Sequence, residues 1–433
     1  MKKIFQSFNL PIFKLNDDRS GQSLIEVIVG LAIGAILMGA SAFAIAGMIQ
    51  TNNTSQKWRS ATALAQGLLT NARAYGTVNW QNLYGLSKGS SSDYFLNASG
   101  TTYNVIGGKE GMLDNDVTSG LVGEWKFDED IGTTSTLTYD ATGNGDNGTL
   151  MSSPTRATST CKIANCLVFN GSNYVSIPNS ATLELRNAIS ISAWVNPATS
   201  TASTQLAIMG KSSEVILSLS YGQSRFTIYA TAGGYSQAMG GTILPANTWY
   251  HIVGTFDGNQ IKIYENGVLK GTTNYSTSIA DTAAIPYIGS AGGYQFFSGS
   301  IDDVRIYNRA LSAYEVGQLY NSNVFKRYFY VENTCRTNDA SSSISGVSPC
   351  AGGSADDPST QKISAITEWT TPTGANPQVL LSDYVTRWKN SVFQQNDWSG
   401  GPNATGVTTN PTNLFTSSSN VNFSGKSLRI QGL

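Results

Sequence analysis

From Ser23 to Ile49 the chain reads SLIEVIVGLAIGAILMGASAFAIAGMI, and Glu26 is its one charged residue. As a helix, such a segment satisfies its own backbone in lipid, and about 20 apolar residues span a bilayer. The residues ahead of it include Lys2, Lys3, Lys14 and Arg19, partly offset by Asp17 and Asp18. Orientation follows Lys and Arg more than net charge, so this end is expected to stay cytoplasmic. A secretory signal peptide has an apolar core of 7–15 residues, which this run exceeds. A plain signal anchor has no use for Glu26, which costs about 2–3 kcal/mol if it lies deep in lipid without a partner.

The helical pattern continues past the apolar run. Between Gln50 and Tyr75, apolar residues Trp58, Ala61, Leu64, Ala65, Leu68, Leu69 and Ala72 recur at steps of three and four. That spacing predicts one buried stripe on an otherwise polar helix. Gly30, Gly34 and Gly39 either let neighbouring helices pack closely or are simply tolerated in a membrane helix.

Gly21-Gln22-Ser23-Leu24-Ile25-Glu26 resembles the type IV prepilin leader, in which Gly and Glu at this spacing precede an apolar helix. The resemblance implies cleavage after Gly21 by prepilin peptidase, an N-methylated Gln22, and Glu26 paired with the N-terminal amine of a neighbouring subunit. A free ammonium is the opposite charge that a buried carboxylate needs. Two features depart from the family. The leader is longer than in the commonest pilins, and Gln22 stands where Phe is usual. The expected parts are a leader at 1–21 and a helix at 22–75, membrane-spanning over about 24–49. The resemblance also implies other pilin subunits as partners, a single-pass membrane form, and head domains outside the cell or in the periplasm on a filament.

After Gly76 the pattern is of short strands. Tyr94–Leu96 and Thr101–Ile106 flank turn residues and predict a hairpin, with polar loops at 87–93 and 107–120. From Leu121 to about Tyr320 the chain resembles the laminin-G-like, concanavalin A-type jelly roll. The resemblance rests on Leu121-Val122-Gly123-Glu124-Trp125, Leu167-Val168-Phe169-Asn170-Gly171, Ile189 to Val195, Trp249-Tyr250-His251-Ile252-Val253, Ile263-Tyr264-Glu265-Asn266-Gly267 and Gly299 to Ser312. The residues agree with it independently. Ile189, Ile191, Ala193 and Val195 alternate along one strand, and Asp257-Gly258 and Asn266-Gly267 are tight-turn pairs. After Asn323, Lys326–Val331 and Lys362–Trp369 are strand-like, and 394–419 is rich in Asn, Thr, Ser, Gly and Pro. Val421–Phe423 and Ser427–Ile430 read as a last short hairpin. The expected fold is therefore mainly β. A long N-terminal membrane-spanning helix precedes a pilin-like β domain (76–120 and 321–433), into which a jelly-roll sandwich (121–320) is inserted. Three domains in tandem are the alternative.

Charged residues make up 13% of the chain and the net charge is −1, so charge gives no reason to expect nucleic acid as a partner. Four cysteines in two close pairs, beside a single histidine, predict disulfides Cys161–Cys166 and Cys335–Cys350 and an oxidising compartment. A Ser-His-Asp triad would have to use His251, which lies in a strand motif and reads as packing. Glu124–Asp130 is acidic but lacks the Glu-x-Asp-x-Glu spacing with which glycosidases of this fold flank a bond. No enzymatic activity is expected. Asp140 and Asn144 lie in a loop that reads either as calcium-binding or as an Asx-rich turn. The laminin-G resemblance adds Asp128, Asp302 and Asp303 as candidate ligands of a structural calcium. Tyr235, Tyr294 and Phe296, with Tyr221, Tyr229 and Phe297, lie in or near Gly-rich loops, where they serve either as a sugar-stacking platform or as core. The expected function is adhesion: a minor pilin or pseudopilin displaying a glycan- or surface-binding domain. The alternatives are an assembly component with the jelly roll as spacer, and a surface hydrolase.

Overall fold

The computed structural model describes residues 24–130, 135–199, 205–337, 344–352, 354–371, 373–387, 421–422 and 429–430. The chain divides into two compact units, Met1–Trp58 and Arg59–Leu433. Helix α1 (Leu24–Val78) starts in the first. There Ile33, Ile36, Leu37 and Phe43 are all exposed, and the helix holds an 18-residue window of mean hydropathy 2.3. It is the one helix among the described residues long and apolar enough to cross a membrane.

In the second unit, the rest of α1 buries Ala61, Ala65, Leu68, Leu69 and Ala72 of the stripe its spacing predicts, with Leu64 half-buried, whereas Trp58, expected in the same stripe, is exposed. Leu68, Leu69 and Ala72 pack on Leu96, Phe329, Val331, Ile363, Ala365 and Val385 of a β-sheet. The alanines leave room for that approach. Past the stripe, a Cβ on Gly76 would lie 2.1 Å from Leu83 Cδ1, so only glycine lets the short helix α2 (Gln81–Tyr84) fold back there.

The strands in chain order are β1 (Tyr94–Ser99), β2 (Thr102–Gly107), β3 (Glu110–Leu113), β4 (Leu121–Trp125), β5 (Leu137–Thr138), β6 (Gly148–Met151), β7 (Thr155–Ala157) and β8 (Cys166–Asn170). They continue with β9 (Tyr174–Ser176), β10 (Ile189–Pro197), β11 (Gln205–Lys211), β12 (Val215–Ser220), β13 (Gln223–Tyr229), β14 (Tyr235–Met239), β15 (Tyr250–Phe256) and β16 (Gln260–Glu265). Then come β17 (Val268–Asn274), β18 (Pro286–Ile288), β19 (Ser298–Tyr307), helix α3 (Ala313–Asn321), β20 (Val324–Arg336), β21 (Ile344–Val347), β22 (Ala355–Glu368) and β23 (Gln378–Thr386). A last antiparallel pair joins β24 (Val421–Asn422) to β25 (Arg429–Ile430).

Three larger sheets result. One runs β2-β1-β20-β22-β23, with β3 and β21 also paired to β20. Thus β1 and β3 pair across the whole intervening sequence with β20, at Tyr94 opposite Phe329 and Val324 opposite Leu113. The other two sheets face each other as a sandwich. Their orders are β17-β16-β15-β10-β19-β8-β7, with β4 on β19, and β14-β13-β12-β11-β18-β9-β6-β5. Trp125, Phe169, Val195, Leu217, Phe226, Phe256, Ile263 and Ile301 form part of the single core between them. Strand β10 is buried on both faces. Ile189, Ile191, Ala193 and Val195 enter that core, while Trp194 joins Tyr264, Tyr307, Val316 and Leu319 in a second cluster on the other side. Helix α3, whose residues Val316 and Leu319 close this side, starts on a capping box between Ser312 and Glu315.

Strand β3 corrects the loop expected at 107–120. Four residues with a central glycine carry no alternation signal. The pairing shows its reason: a Cβ on Gly111 would lie 2.3 Å from Ile163 Cγ2. The Gly111 N–H donates to Asp128 Oδ2 at 2.6 Å, and Asn97 Nδ2 donates to the Asp140 carbonyl at 3.1 Å. Leu113 and Val117 share the Trp194 cluster. The sandwich and the first sheet are therefore joined along a polar and apolar seam. Both disulfides form as expected, Cys161–Cys166 ending at β8 and Cys335–Cys350 starting from β20.

Candidate functional site

The sandwich sheet that contains β11 to β14 presents one face outward. On β13, Phe226 and Ile228 enter the core, so Arg225, Thr227 and Tyr229 point the other way. On β14, Ala238 enters the core and Tyr235, Gln237 and Met239 point outward. Register sets these side chains in rows. Tyr229 lies opposite Tyr235, Thr227 opposite Gln237, and Arg225 opposite Met239 on one side and Ser218 on the other. The Tyr229 and Tyr235 ring centroids are 5.3 Å apart.

The loop after β18 returns across this face. Ala207 N–H donates to Gln295 O at 2.7 Å, and Ala291 packs with Ala207, Ile216 and Tyr229. The loop brings Tyr294 to the group, and the β12–β13 turn supplies Tyr221. Tyr235 is 61% exposed, Tyr221 54% and Tyr294 42%. Among them lies Arg225. Its Nε donates to Ser218 Oγ at 3.1 Å and its Nη2 to Gln205 Oε1 at 3.2 Å. Burial draws its guanidinium below the ordinary arginine value, against the opposing influence of Tyr229, Tyr235, Tyr221 and Tyr294. Gln295 Nε2 also donates to Gln205 Oε1, while Gln295 Oε1 and Thr227 Oγ1 are buried without a partner among the described residues. Open aromatic faces beside amide and guanidinium donors suit the apolar faces and hydroxyls of a sugar ring.

The aromatic residues singled out from the sequence separate in the fold. Tyr229, Tyr235 and Tyr294 lie together at one end of β13 and Tyr221 at the turn at its other end, all within electrostatic reach of Arg225. Phe296 is half-buried against Tyr174, which in turn meets Tyr287 edge-on. Phe297 belongs to the core, edge-on to Phe169, because neighbouring residues of an extended segment face opposite ways. Arg225, Gln205, Gln237 and Gln295 were not foreseen. Their alternation marks a surface face but gives no sign of which side chains meet there.

The five calcium candidates do not all gather, and Asp303 is taken by Arg305, whose Nε donates to its Oδ1 at 3.0 Å. Asp140 takes the N–H groups of Glu124, Thr142 and Asp146 on its carboxylate, and Asn144 donates to the Val122 carbonyl. That is an Asx-type turn holding its own loop. Asp128 and Asp302 are buried near each other. Asp128 accepts from Gly111 and Asn165 N–H, and Asp302 Oδ2 from Lys162 and Ile163 N–H. Burial pushes both carboxyls well above the usual range, and the Asp128 charge adds to the rise at Asp302. Asp302 Oδ1 has no partner among the described residues. Among the described residues, the acidic group close enough to share an ion is another one: Glu184, Glu214 and Asp281. Arg186 pairs with all three and Lys211 with both glutamates, so this group already has its cations.

His251 is buried beside two rings, 4.9 Å from Trp194 and 6.3 Å from Tyr320 by centroid, with Nε2 2.8 Å from Ser192 Oγ. Burial, then the charges of Arg305 and Lys162, pushes it down to about 3, so it is neutral at ordinary pH. Gly85-Leu86-Ser87-Lys88-Gly89 has Gly-x-Ser-x-Gly spacing, but it follows α2 and leads to β1. A nucleophile elbow needs a strand before it and a helix after it. Gly21 and Gln22 lie outside the described residues. Glu26 lies in the first turns of α1.

The comparisons with known proteins follow the same division. Residues 169–317 match the profile of the concanavalin A-like lectin/glucanases superfamily. Residues 16–42 match the prokaryotic N-terminal methylation motif, the mark of type IV pilins. No curated protein matches the chain. Among solved structures, domain 4 of AbnA, a GH43 extracellular arabinanase from Geobacillus stearothermophilus, in complex with arabinotriose, is 24% identical with a TM-score of 0.39. It covers 47% of this chain and 99% of its own. The binding domain of Paraclostridial Mosquitocidal Protein 1 is 12% identical with a TM-score of 0.41, covering 58% of this chain and 71% of its own. The Botulinum Neurotoxin serotype G binding domain is 12% identical with a TM-score of 0.38, covering 64% and 84%. At such scores these resemblances carry no weight for what this chain binds. The chain is thus a jelly-roll protein with an N-terminal apolar helix. It carries the pilin methylation motif at one end and a concanavalin A-like domain beyond it.

Proposed function

We propose that the protein is a subunit of a type IV pilus or related secretion filament that displays a glycan-binding face for adhesion. The observation that carries this reading is the exposed pair Tyr235 and Tyr294 beside Tyr229 at one end of β13, within electrostatic reach of Arg225, on a domain attached to a pilin-type helix. Large aromatic side chains left in the open side by side point to a ligand. The pilin motif supports processing by prepilin peptidase and packing beside other pilin subunits. A glycan array probed with the full chain in detergent micelles tests the binding. The wild type is expected to retain a defined set of glycans, and a Tyr235→Ala/Tyr294→Ala variant to bind them about tenfold more weakly. An empty array, or equal binding by both, would leave the jelly roll as a spacer.

A structural calcium is a narrower proposal, confined to Asp128 and Asp302, where Asp302 Oδ1 offers an unused oxygen. Calcium should then raise the melting temperature of the wild type but not of Asp302→Asn. No rise in the wild type would end it.

A further inference from the structure

The arginines of the sandwich divide sharply. Arg156 pairs with Glu129, Arg186 with Glu184, Glu214 and Asp281, Arg305 with Asp116, Glu124 and Asp303, and Arg309 with Glu315. Arg225 is the exception: among the described residues its partners are neutral, Ser218 and Gln205. It is half-buried on β13, with tyrosines on the strands and loops beside it. A desolvated guanidinium with no counter-charge is costly, and such charges are ordinarily paired. Of the five N–H groups of a guanidinium, these two bonds use one on Nε and one on Nη2. The donors left lie on Nη1 and Nη2, the end-on fork that takes a carboxylate through two parallel bonds.

We propose that the tyrosine face binds an acidic sugar, with the sugar's carboxylate on Arg225 and its ring against Tyr235 and Tyr294. The proposal rests on the reading of this face as a glycan site and adds the class of glycan. The ligand supplies the counter-charge that the fold withholds from Arg225 and supplies to its four other arginines. Uronic and sialic acids share the needed chemistry, a carboxylate fixed to a pyranose ring. Gln205 holds both Arg225 and Gln295, so the fork is set before the ligand arrives.

Calorimetry with the full chain in micelles tests this with matched pairs: trigalacturonate against galactotriose, and sialyllactose against lactose. At least one acidic member should bind about tenfold more tightly than its neutral counterpart, the worth of a charge-assisted pair. Added salt should erode that margin. Arg225→Gln should abolish the margin, while Arg225→Lys should keep part of it. The Arg225→Gln chain should melt no lower than the wild type, which shows that the loss is not one of folding. Equal affinity for acidic and neutral sugars, or a margin that survives Arg225→Gln, would overturn the proposal and leave the glycan reading standing. Binding of a poly-glutamate peptide as tightly as the best sugar would also overturn it, in favour of an acidic protein partner. If no sugar of either kind binds, both readings fall together.

Discussion

Gly21 and Glu26 carry separable duties under the pilin reading. Gly21 has no side chain to obstruct the peptidase, so Gly21→Ala should leave the leader attached. Glu26 acts later, as the partner of a neighbouring N-terminal amine, so Glu26→Ala should be cut normally yet enter filaments poorly. Mass spectrometry of the membrane and filament fractions, after co-expression with a prepilin peptidase, separates the two steps. A mature N-terminus other than Gln22 would contradict the assignment. Other single residues were legible to different degrees. Tyr235 and Tyr294 stand beside glycines in the sequence, and they are exposed in the fold. Phe297 stands one residue from Phe296 and goes inward, because the phase of an extended segment is fixed by its partners. Arg225 could not be read at all: that its partners among the described residues are all neutral is a fact about its neighbours across three strands, which no local pattern encodes.

Among elements, β3 shows most clearly what pairing adds to sequence. Its Glu110 is buried and accepts from Arg327 Nε of β20 at 2.6 Å and from Lys126 Nζ, just after β4, at 2.8 Å. Burial alone would raise its carboxyl, but Arg327 and Lys126 overcome this and hold it at about 2. The folded value therefore lies below the ordinary 4.5, so the group's contribution is complete above pH 4.5 and is lost as pH falls towards 2. Its size is about 3 kcal/mol. Glu110→Gln, which leaves two cations facing a neutral amide, should cost about 3–5 kcal/mol at pH 7. The gap between variant and wild type should narrow steadily below pH 4.5. Urea unfolding of both chains at several pH values measures it, and a gap independent of pH would show that Glu110 acts by shape rather than charge. The long elements needed no such help. The stripe on α1 and the alternation along β10 were plain in the sequence, because each repeats one rule over many residues.

Across the whole molecule, the pairing of β1 and β3 with β20 leads us to infer that the sandwich is a guest within a pilin-type head. Deleting 121–320 and closing the gap with a short Gly-Ser linker should leave a head that is folded by circular dichroism and resists limited proteolysis. The seam will be less well covered, since Leu113 and Val117 lose Trp194 and Tyr307. An unfolded head would instead favour domains in tandem that depend on one another. The anchor, the head and the guest make one functional proposal: a filament that carries a sugar-binding face. The direct test is to shear filaments from cells making the wild-type chain or Tyr235→Ala/Tyr294→Ala, and to measure their capture on immobilised glycans. Both chains should appear in the filament fraction with Gln22 as the mature N-terminus, and only wild-type filaments should be held on the surface. A chain that stays in the membrane fraction, or variant filaments captured as well as wild type, would contradict the account.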